Sequence, residues 1–222
     1  MSHRPPPKAR LARPDDAMQL ARIYALCFPD TYLAGLGQRY LRHFYRCAAT
    51  DPKAVCVVVE DPDSGRVGGV ALALLDLAFY KRVVKSGLLV TAWACLVGFL
   101  RSGAVRRKLW QTLRRQPRGQ PGESIADDAL IGIAPAAGPV ARYVHVAVHP
   151  ACRRRGLARC LLTCLAEQAF SRGAARLISP IAIGNVASQR LHESLGWNLR
   201  RSPRGTNFVT WLDRDEVAGG EA

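Results

Sequence analysis

Apolar positions along the chain change rhythm several times, and each change marks a different kind of element. After a short extended stretch at 10–13, Pro14, Asp15 and Asp16 supply the proline and acids of a helix start. Leu20, Ile23, Tyr24 and Cys27 follow at helical spacing. Pro29 ends that helix, and Leu33, Leu36, Tyr40, Leu41 and Phe44 set up a second. The rhythm then turns to strand. Val55, Val57, Val58 and Val59 fall in a dense run at 54–60, an Asp61-Pro62-Asp63-Ser64-Gly65 turn follows, and 67–75 is apolar again. That order predicts a hairpin. In the last third, strand 142–148, helix 156–172, strand 176–183 and helix 186–195 alternate, with short strands at 198–201 and 207–212. Alternation of this kind predicts an α/β fold with mixed pairing in its sheet.

Between 77 and 139 the texture differs. Helical patterns are expected at 79–85, 88–101 and 105–115, and a Pro/Gly-rich loop at 116–122 closes the segment. A connection of this length without its own structure is unusual in a compact domain, so packed helices are expected. The longest apolar run, 88–100, includes Thr91 and falls short of the roughly 18 residues that a spanning helix needs.

Composition narrows the class. The 222 residues are 49% hydrophobic, enough for one domain at 9–213 that includes the helical insert, with flexible tails at 1–8 and 214–222. The basic, proline-broken start does not read as a secretory signal. None of the seven cysteines forms a C-x-x-C pair. A cytoplasmic protein without a metal site is therefore expected. The net charge of +15 suggests an anionic partner. Ten basic residues against three acids lie within 77–138. The basic residues are scattered and accompany no nucleic-acid motif, so no specific nucleic-acid partner is expected.

One loop carries the clearest chemistry. Strand 142–148 runs into Pro150, and then Arg153, Arg154, Arg155, Gly156, Leu157, Ala158 and Arg159 open a helix. A helix start offers unpaired N–H groups and partial positive charge. Small residues at 156 and 158 let a bulky anion approach the backbone, and amides 154–159 can wrap two phosphates. The Arg153 or Arg154 guanidinium can add a charge-assisted contact. Further on, Asn185 opens a helix whose apolar face holds Ala187, Leu191 and Leu195, and Gly196 ends it.

These two elements, in this order and spacing, resemble the GCN5-related N-acetyltransferase family. The signature Gln/Arg-x-x-Gly-x-Gly/Ala is matched by Arg153 through Ala158. The signature Asn-x-x-Ala-x-x-Leu-Tyr-x-x-x-Gly-Phe is matched by Asn185 through Trp197, with Ser188, His192 and Trp197 substituting. Arg13-Pro14-Asp15-Asp16 also looks like that family's opening. The resemblance covers about 10–76 and 140–212. It implies a mixed, mostly antiparallel sheet of six or seven strands flanked by helices. It also implies an acetyl-CoA-dependent N-acetyltransferase, acting on a primary amine of a small molecule by direct attack and using acetyl-CoA or another short acyl-CoA.

The same resemblance implies roles. The pantetheine arm pairs with Val146, Ala147 and Val148. A splay between this strand and the next opens an acyl slot, and an amide near Val148 stabilises the thioester oxygen. His192 stands where the family often has a tyrosine acid, and its neutral N–H can hydrogen-bond the sulfur. Strand alternation puts Val144, Val146 and Val148 under helices, and Tyr143, His145 and Ala147 on the other face. His145 then faces the acceptor as a candidate base, with a water chain to an acid such as Glu60 as the alternative. His149 reads as exposed and His43 as a helix-surface residue.

Two other readings stay open: a non-catalytic acyl-CoA-binding module, and a peripheral membrane or polyanion binder working through the insert. The insert itself fits a lid over the acceptor, a membrane-surface element with Trp93, Phe99 and Trp110 beside bases, or a homodimer interface or solvated helical hairpin. The basic surface favours acidic or phosphorylated acceptors over polycations.

Overall fold

The computed structural model describes residues 7–101, 103, 105–107, 133, 136–202, 205 and 207–215. β1 (Ala9–Leu11) leads through a 3-10 turn (Pro14–Asp16) into α1 (Ala17–Cys27), then α2 (Tyr32–Gly35) and α3 (Gly37–Thr50). The hairpin β2 (Ala54–Glu60) and β3 (Val67–Leu74) is followed by α4 (Phe79–Ser86) and α5 (Leu88–Arg101). β4 (Val140–Val148), α6 (Leu157–Ser171), β5 (Arg176–Ala182), α7 (Val186–Glu193), β6 (Asn198–Arg201) and β7 (Asn207–Asp213) complete the order. One seven-stranded sheet runs β1-β2-β3-β4-β5-β7-β6. Every neighbouring pair is antiparallel except β4 with β5. The fold class expected from the sequence is the one observed.

Helices cover both faces of the sheet, which is why β2 and β3 read as continuous apolar runs rather than alternating ones. Cys56 and Val58 join Leu20, Ile23, Leu41 and Phe44 beneath α1 and α3. Val55, Val57 and Val59 face the opposite way, onto Leu161, Leu162 and Leu165 of α6. Each of those fully buried leucines contributes about 1.5–3 kcal/mol. Gly68 and Gly69 set how closely α6 approaches. A Cβ at Gly68 would stand 3.0 Å from Leu157, and one at Gly69 would stand 3.0 Å from both Leu161 and the Ala147 carbonyl.

Details depart from the sequence reading. The second helix is split, because Thr31 caps α2 and Gly37 at φ +86° begins α3. The end of the expected N-terminal tail is held: the Pro7 carbonyl accepts from Cys160 Sγ at 3.2 Å, and the Lys8 carbonyl accepts from the Glu60 amide at 3.5 Å. The helices expected at 79–85 and 88–101 are present as α4 and α5. Most of the stretch at 105–115, and the loop at 116–122, lie outside the described residues. Arg82 bonds Asp51 at 2.6 Å and Asp76 at 2.8 Å, which fastens α4 to the end of α3.

Candidate functional site

The centre of the site is the far half of β4. Its pairing with β5 is confined to Val140–Arg176, Ala141–Leu177 and Arg142–Ile178. From Tyr143 to Val148 the strand keeps β3 on one side only, so its other edge offers unpaired backbone groups. This is the splay that the resemblance implies.

β4 also bulges. Leu72 of β3 pairs with His145 and Ala73 pairs with Tyr143, which leaves Val144 without an opposite residue. An extra residue in one strand resets which side chains share a face. The simple alternation expected from the sequence is therefore corrected. Tyr143, Val146 and Val148 face the α6 side, whereas Val144 and Ala147 pack with the α1/α3 side, and His145 joins the latter among the rings of Tyr24 and Tyr45.

The strand passes directly into the anion loop. A 3-10 turn (Pro150–Cys152) follows, with the His149 Nδ1 accepting from the Ala151 amide at 3.3 Å. His149 is thus a half-buried turn cap rather than a fully exposed residue. Arg154 at φ +59° and Gly156 at φ +78° both adopt the left-handed region before α6 begins. Backbone of this kind curls successive amides into an anion-binding concavity. For arginine the conformation costs about 1 kcal/mol or more. A Cβ on Gly156 would meet no atom within 4 Å, so φ alone favours glycine there, and the space beside it is open.

The side chains around the loop divide their work differently from the sequence expectation. Arg155 is committed within the protein, bonding Asp61 and Asp63 at 2.9 Å each. Arg159 reaches from α6 to the Ser194 hydroxyl at 2.9 Å and its carbonyl at 3.2 Å. Arg153 turns back onto the Val148 carbonyl at 3.3 Å, which also accepts from Cys27 Sγ at 3.3 Å. Leu157 is buried in the core, so only its amide can face a ligand. Arg154 is exposed and takes no side-chain partner among the described residues, which makes it the loop guanidinium most available to an anion. Ala158 is half-buried at the first turn of α6. Asn185 spends its side-chain oxygen on the Ser188 amide at 3.1 Å, capping α7.

His145 does not face open solvent. Helices lie on this face too, and the ring sits 5.0 Å from Tyr24 and 6.0 Å from both Phe28 and Tyr45. Its Nε2 shares a 2.8 Å hydrogen bond with the Tyr45 hydroxyl, and its buried Nδ1 has no partner among the described residues. Burial pushes its pKa down to about 3, so the ring is neutral near pH 7. Glu60, the acid expected as the alternative end of a water chain, pairs with Arg10 at 2.9 Å.

His192 is fully buried, its ring 4.9 Å from Trp197 and 5.6 Å from Tyr143. Its Nδ1 lies 2.7 Å from the Ser188 carbonyl. A carbonyl only accepts, so Nδ1 carries the proton. Nε2 is then an acceptor in the neutral ring, buried and without a partner among the described residues. Burial also lowers the pKa of His192. The expectation that its neutral N–H points to a sulfur is corrected: that hydrogen is used by Ser188.

His43 joins two helices, with Nε2 3.0 Å from the Val83 carbonyl of α4. The sequence reading missed Tyr24, Phe28 and Tyr45, which no local motif marks. It also passed over Gly68 and Gly69, although paired glycines inside an apolar strand signal close backbone approach.

Comparison with known proteins accords with this arrangement. The Acetyltransferase (GNAT) family model matches residues 17–197. The L-methionine sulfoximine/L-methionine sulfone acetyltransferase of Salmonella typhimurium is 41% identical over 70 residues, which span 31% of this chain and 41% of that protein. Among solved structures, yncA, a putative acetyltransferase from Salmonella typhimurium with its cofactor acetyl-CoA, superposes with a TM-score of 0.55. Its sequence identity is 20%, over 98% of this chain and 99% of that one. A GCN5-related N-acetyltransferase from Kribbella flavida gives 0.54 at 16% identity, over 93% and 97% of the two chains. The splayed strand, the left-handed loop at the start of α6 and the family match over most of its length agree, and the chain belongs to the GNAT acetyltransferase family.

Proposed function

We propose that this chain moves an acetyl group from acetyl-CoA to a primary amine of a small molecule by direct attack. The observation that carries the reading is the continuity of β4. Its unpaired edge from Tyr143 to Val148 runs straight into a loop whose Arg154 and Gly156 are both left-handed. The residues present fit the coenzyme. Amides from Arg154 to Arg159, with the Arg154 guanidinium, would hold its diphosphate. The open edge at Val146, Ala147 and Val148 would hold its amide-bearing arm, and an amide near Val148 would take the charge growing on the thioester oxygen.

In the transfer a carbon–nitrogen bond forms, the carbon–sulfur bond breaks, the amine gives up a proton and the thiolate gains one. We assign the amine's proton to the neutral ring of His145. Its Nε2 is shared with Tyr45, so the buried Nδ1, without a partner among the described residues, is the nitrogen left to accept it. The Nε2 of His192 is a buried acceptor, so this ring does not donate the proton that the thiolate gains. The relative acting on L-methionine sulfoximine and L-methionine sulfone supports a small acceptor with a primary amine. The net charge of +15 favours an acceptor that also carries acidic or phosphate groups.

The test is release of free coenzyme A when acetyl-CoA is mixed with a broad panel of primary amines. Turnover with at least one amine, reduced tenfold or more in His145→Ala, supports the proposal. The acceptor-only Nε2 of His192 favours one second reading, a coenzyme-binding module without transfer. Measured acetyl-CoA binding with no release across the panel would establish that reading instead.

A further inference from the structure

Helix α5 is two-sided. Ala94 and Gly98 are buried on one side, where a Cβ at Gly98 would lie 2.9 Å from the Gly35 carbonyl of α2. The other side is exposed and apolar. Leu89 is 87% exposed, Leu100 70%, Leu88 63%, Trp93 58%, Leu96 57% and Phe99 40%. Leu89, Trp93, Leu96 and Leu100 recur at spacings of three and four, so they form one stripe. Contiguous apolar surface of this kind marks an interaction site when polar residues rim it.

Charge identifies the partner. From Leu77 to Arg107 the chain carries six basic residues and no acid. Lys85 is exposed just before the stripe begins, and Lys81 is exposed one turn earlier. At the other end Arg101 and Arg107 are exposed, and Arg106 bonds the carbonyls of Phe99 and Leu100 at 3.3 and 3.4 Å. Arg82 is paired with Asp51 and Asp76, and the other five take no acidic partner among the described residues. A second copy of this chain would oppose like charges there. An anionic lipid surface supplies the complementary charge, an apolar layer for the leucines and a headgroup zone that suits tryptophan.

We propose that α5 lies flat on anionic membranes and inserts this stripe. At 14 residues the helix is about 21 Å long, short of the roughly 30 Å hydrocarbon core. α4 and α5 meet at a bend of 96°, so the two do not form one straight span. Contact on the surface, not passage through it, fits both facts.

The experiment is co-sedimentation of the full chain with phosphatidylcholine vesicles, with and without 30% phosphatidylglycerol, together with light scattering of the free protein. The variants are Leu89→Glu/Trp93→Glu/Leu96→Glu and Lys81→Glu/Lys85→Glu. Circular dichroism checks their folding, and all five substituted residues are exposed. The expected result is binding to anionic vesicles that falls at least tenfold in the first variant and severalfold in the second, with little binding to neutral vesicles. Equal recovery of wild type and the triple variant with the vesicles would overturn the proposal. So would failure of wild type to bind, or a wild-type dimer that the triple variant dissociates. Equal binding to neutral and anionic vesicles would overturn the electrostatic half.

Discussion

The two faces of β4 serve the site by different means. On the α6 side the candidate cofactor cradle is built mostly from backbone: amides, two left-handed residues and the start of a helix. Its charged side chains are largely turned to internal work, Arg155 on Asp61 and Asp63 and Arg159 on Ser194. On the α1/α3 side the surroundings of His145 are side chains brought from distant parts of the chain, Tyr24, Phe28 and Tyr45. A backbone site depends on a few conformations and tolerates varied side chains. A side-chain site depends on packing and sets what it accepts through the identity of its rings.

That contrast can be broken from either face. The largest effect is expected from Gly69→Val, because the added Cβ meets the Ala147 carbonyl as well as Leu161 at 3.0 Å. A backbone neighbour cannot rotate away, and overpacking should cost about 2–3 kcal/mol. Chemical denaturation measures it, and loss of acetyl-CoA affinity should accompany the shift because β4 itself must move. Next comes Arg155→Ala, which strips the charged partner from the buried Asp61 and leaves it the Ser64 hydroxyl. It should destabilise by about 1–3 kcal/mol while leaving coenzyme affinity within a few-fold of wild type. A collapse of affinity without loss of stability would instead assign Arg155 to the ligand.

The opposite face is tested through pH. His145 has a folded pKa near 3 against an ordinary 6.5. Between those values the unfolded chain binds more protons, so stability falls as pH drops through that window. One such group contributes a slope of up to about 1.4 kcal/mol per pH unit. Melting temperatures from pH 7 to pH 4 should decline less steeply in His145→Gln than in wild type. His192 is shifted in the same direction and should leave a residual slope. The smallest effect is expected from Arg154→Gly. Relief of the left-handed arginine should stabilise by about 0.5–1 kcal/mol, while loss of its guanidinium weakens coenzyme binding a few-fold. Opposite signs in denaturation and calorimetry would mark strain held for a ligand.

How much of this was legible in the sequence follows from the same contrast. The loop could be read because glycine at 156 and small Ala158 sit at fixed offsets behind a proline-ended strand, and those offsets are local. The strands and helices were legible for the same reason, since periodicity reports burial on each element separately. The bulge at Val144 was not, because an unpaired residue becomes visible only once β3 is laid beside β4. Strict alternation then misplaced Tyr143 relative to His145. The aromatic surroundings of His145 depend on contacts 100 residues apart, such as Tyr45 with His145. The tautomer of His192 depends on a single carbonyl, that of Ser188, brought 2.7 Å from its ring by the helix.

The most direct test is calorimetric titration of acetyl-CoA into wild type and Gly156→Glu. The substitution strains a residue at φ +78° and places a carboxylate in the open space that a diphosphate would fill. The account predicts saturable binding of one acetyl-CoA per wild-type chain and at least a thirtyfold loss in the variant. Gly156→Ala, which adds strain but no charge, should lose less. Unchanged affinity in a folded Gly156→Glu, or no binding by wild type, would contradict a coenzyme site at this loop.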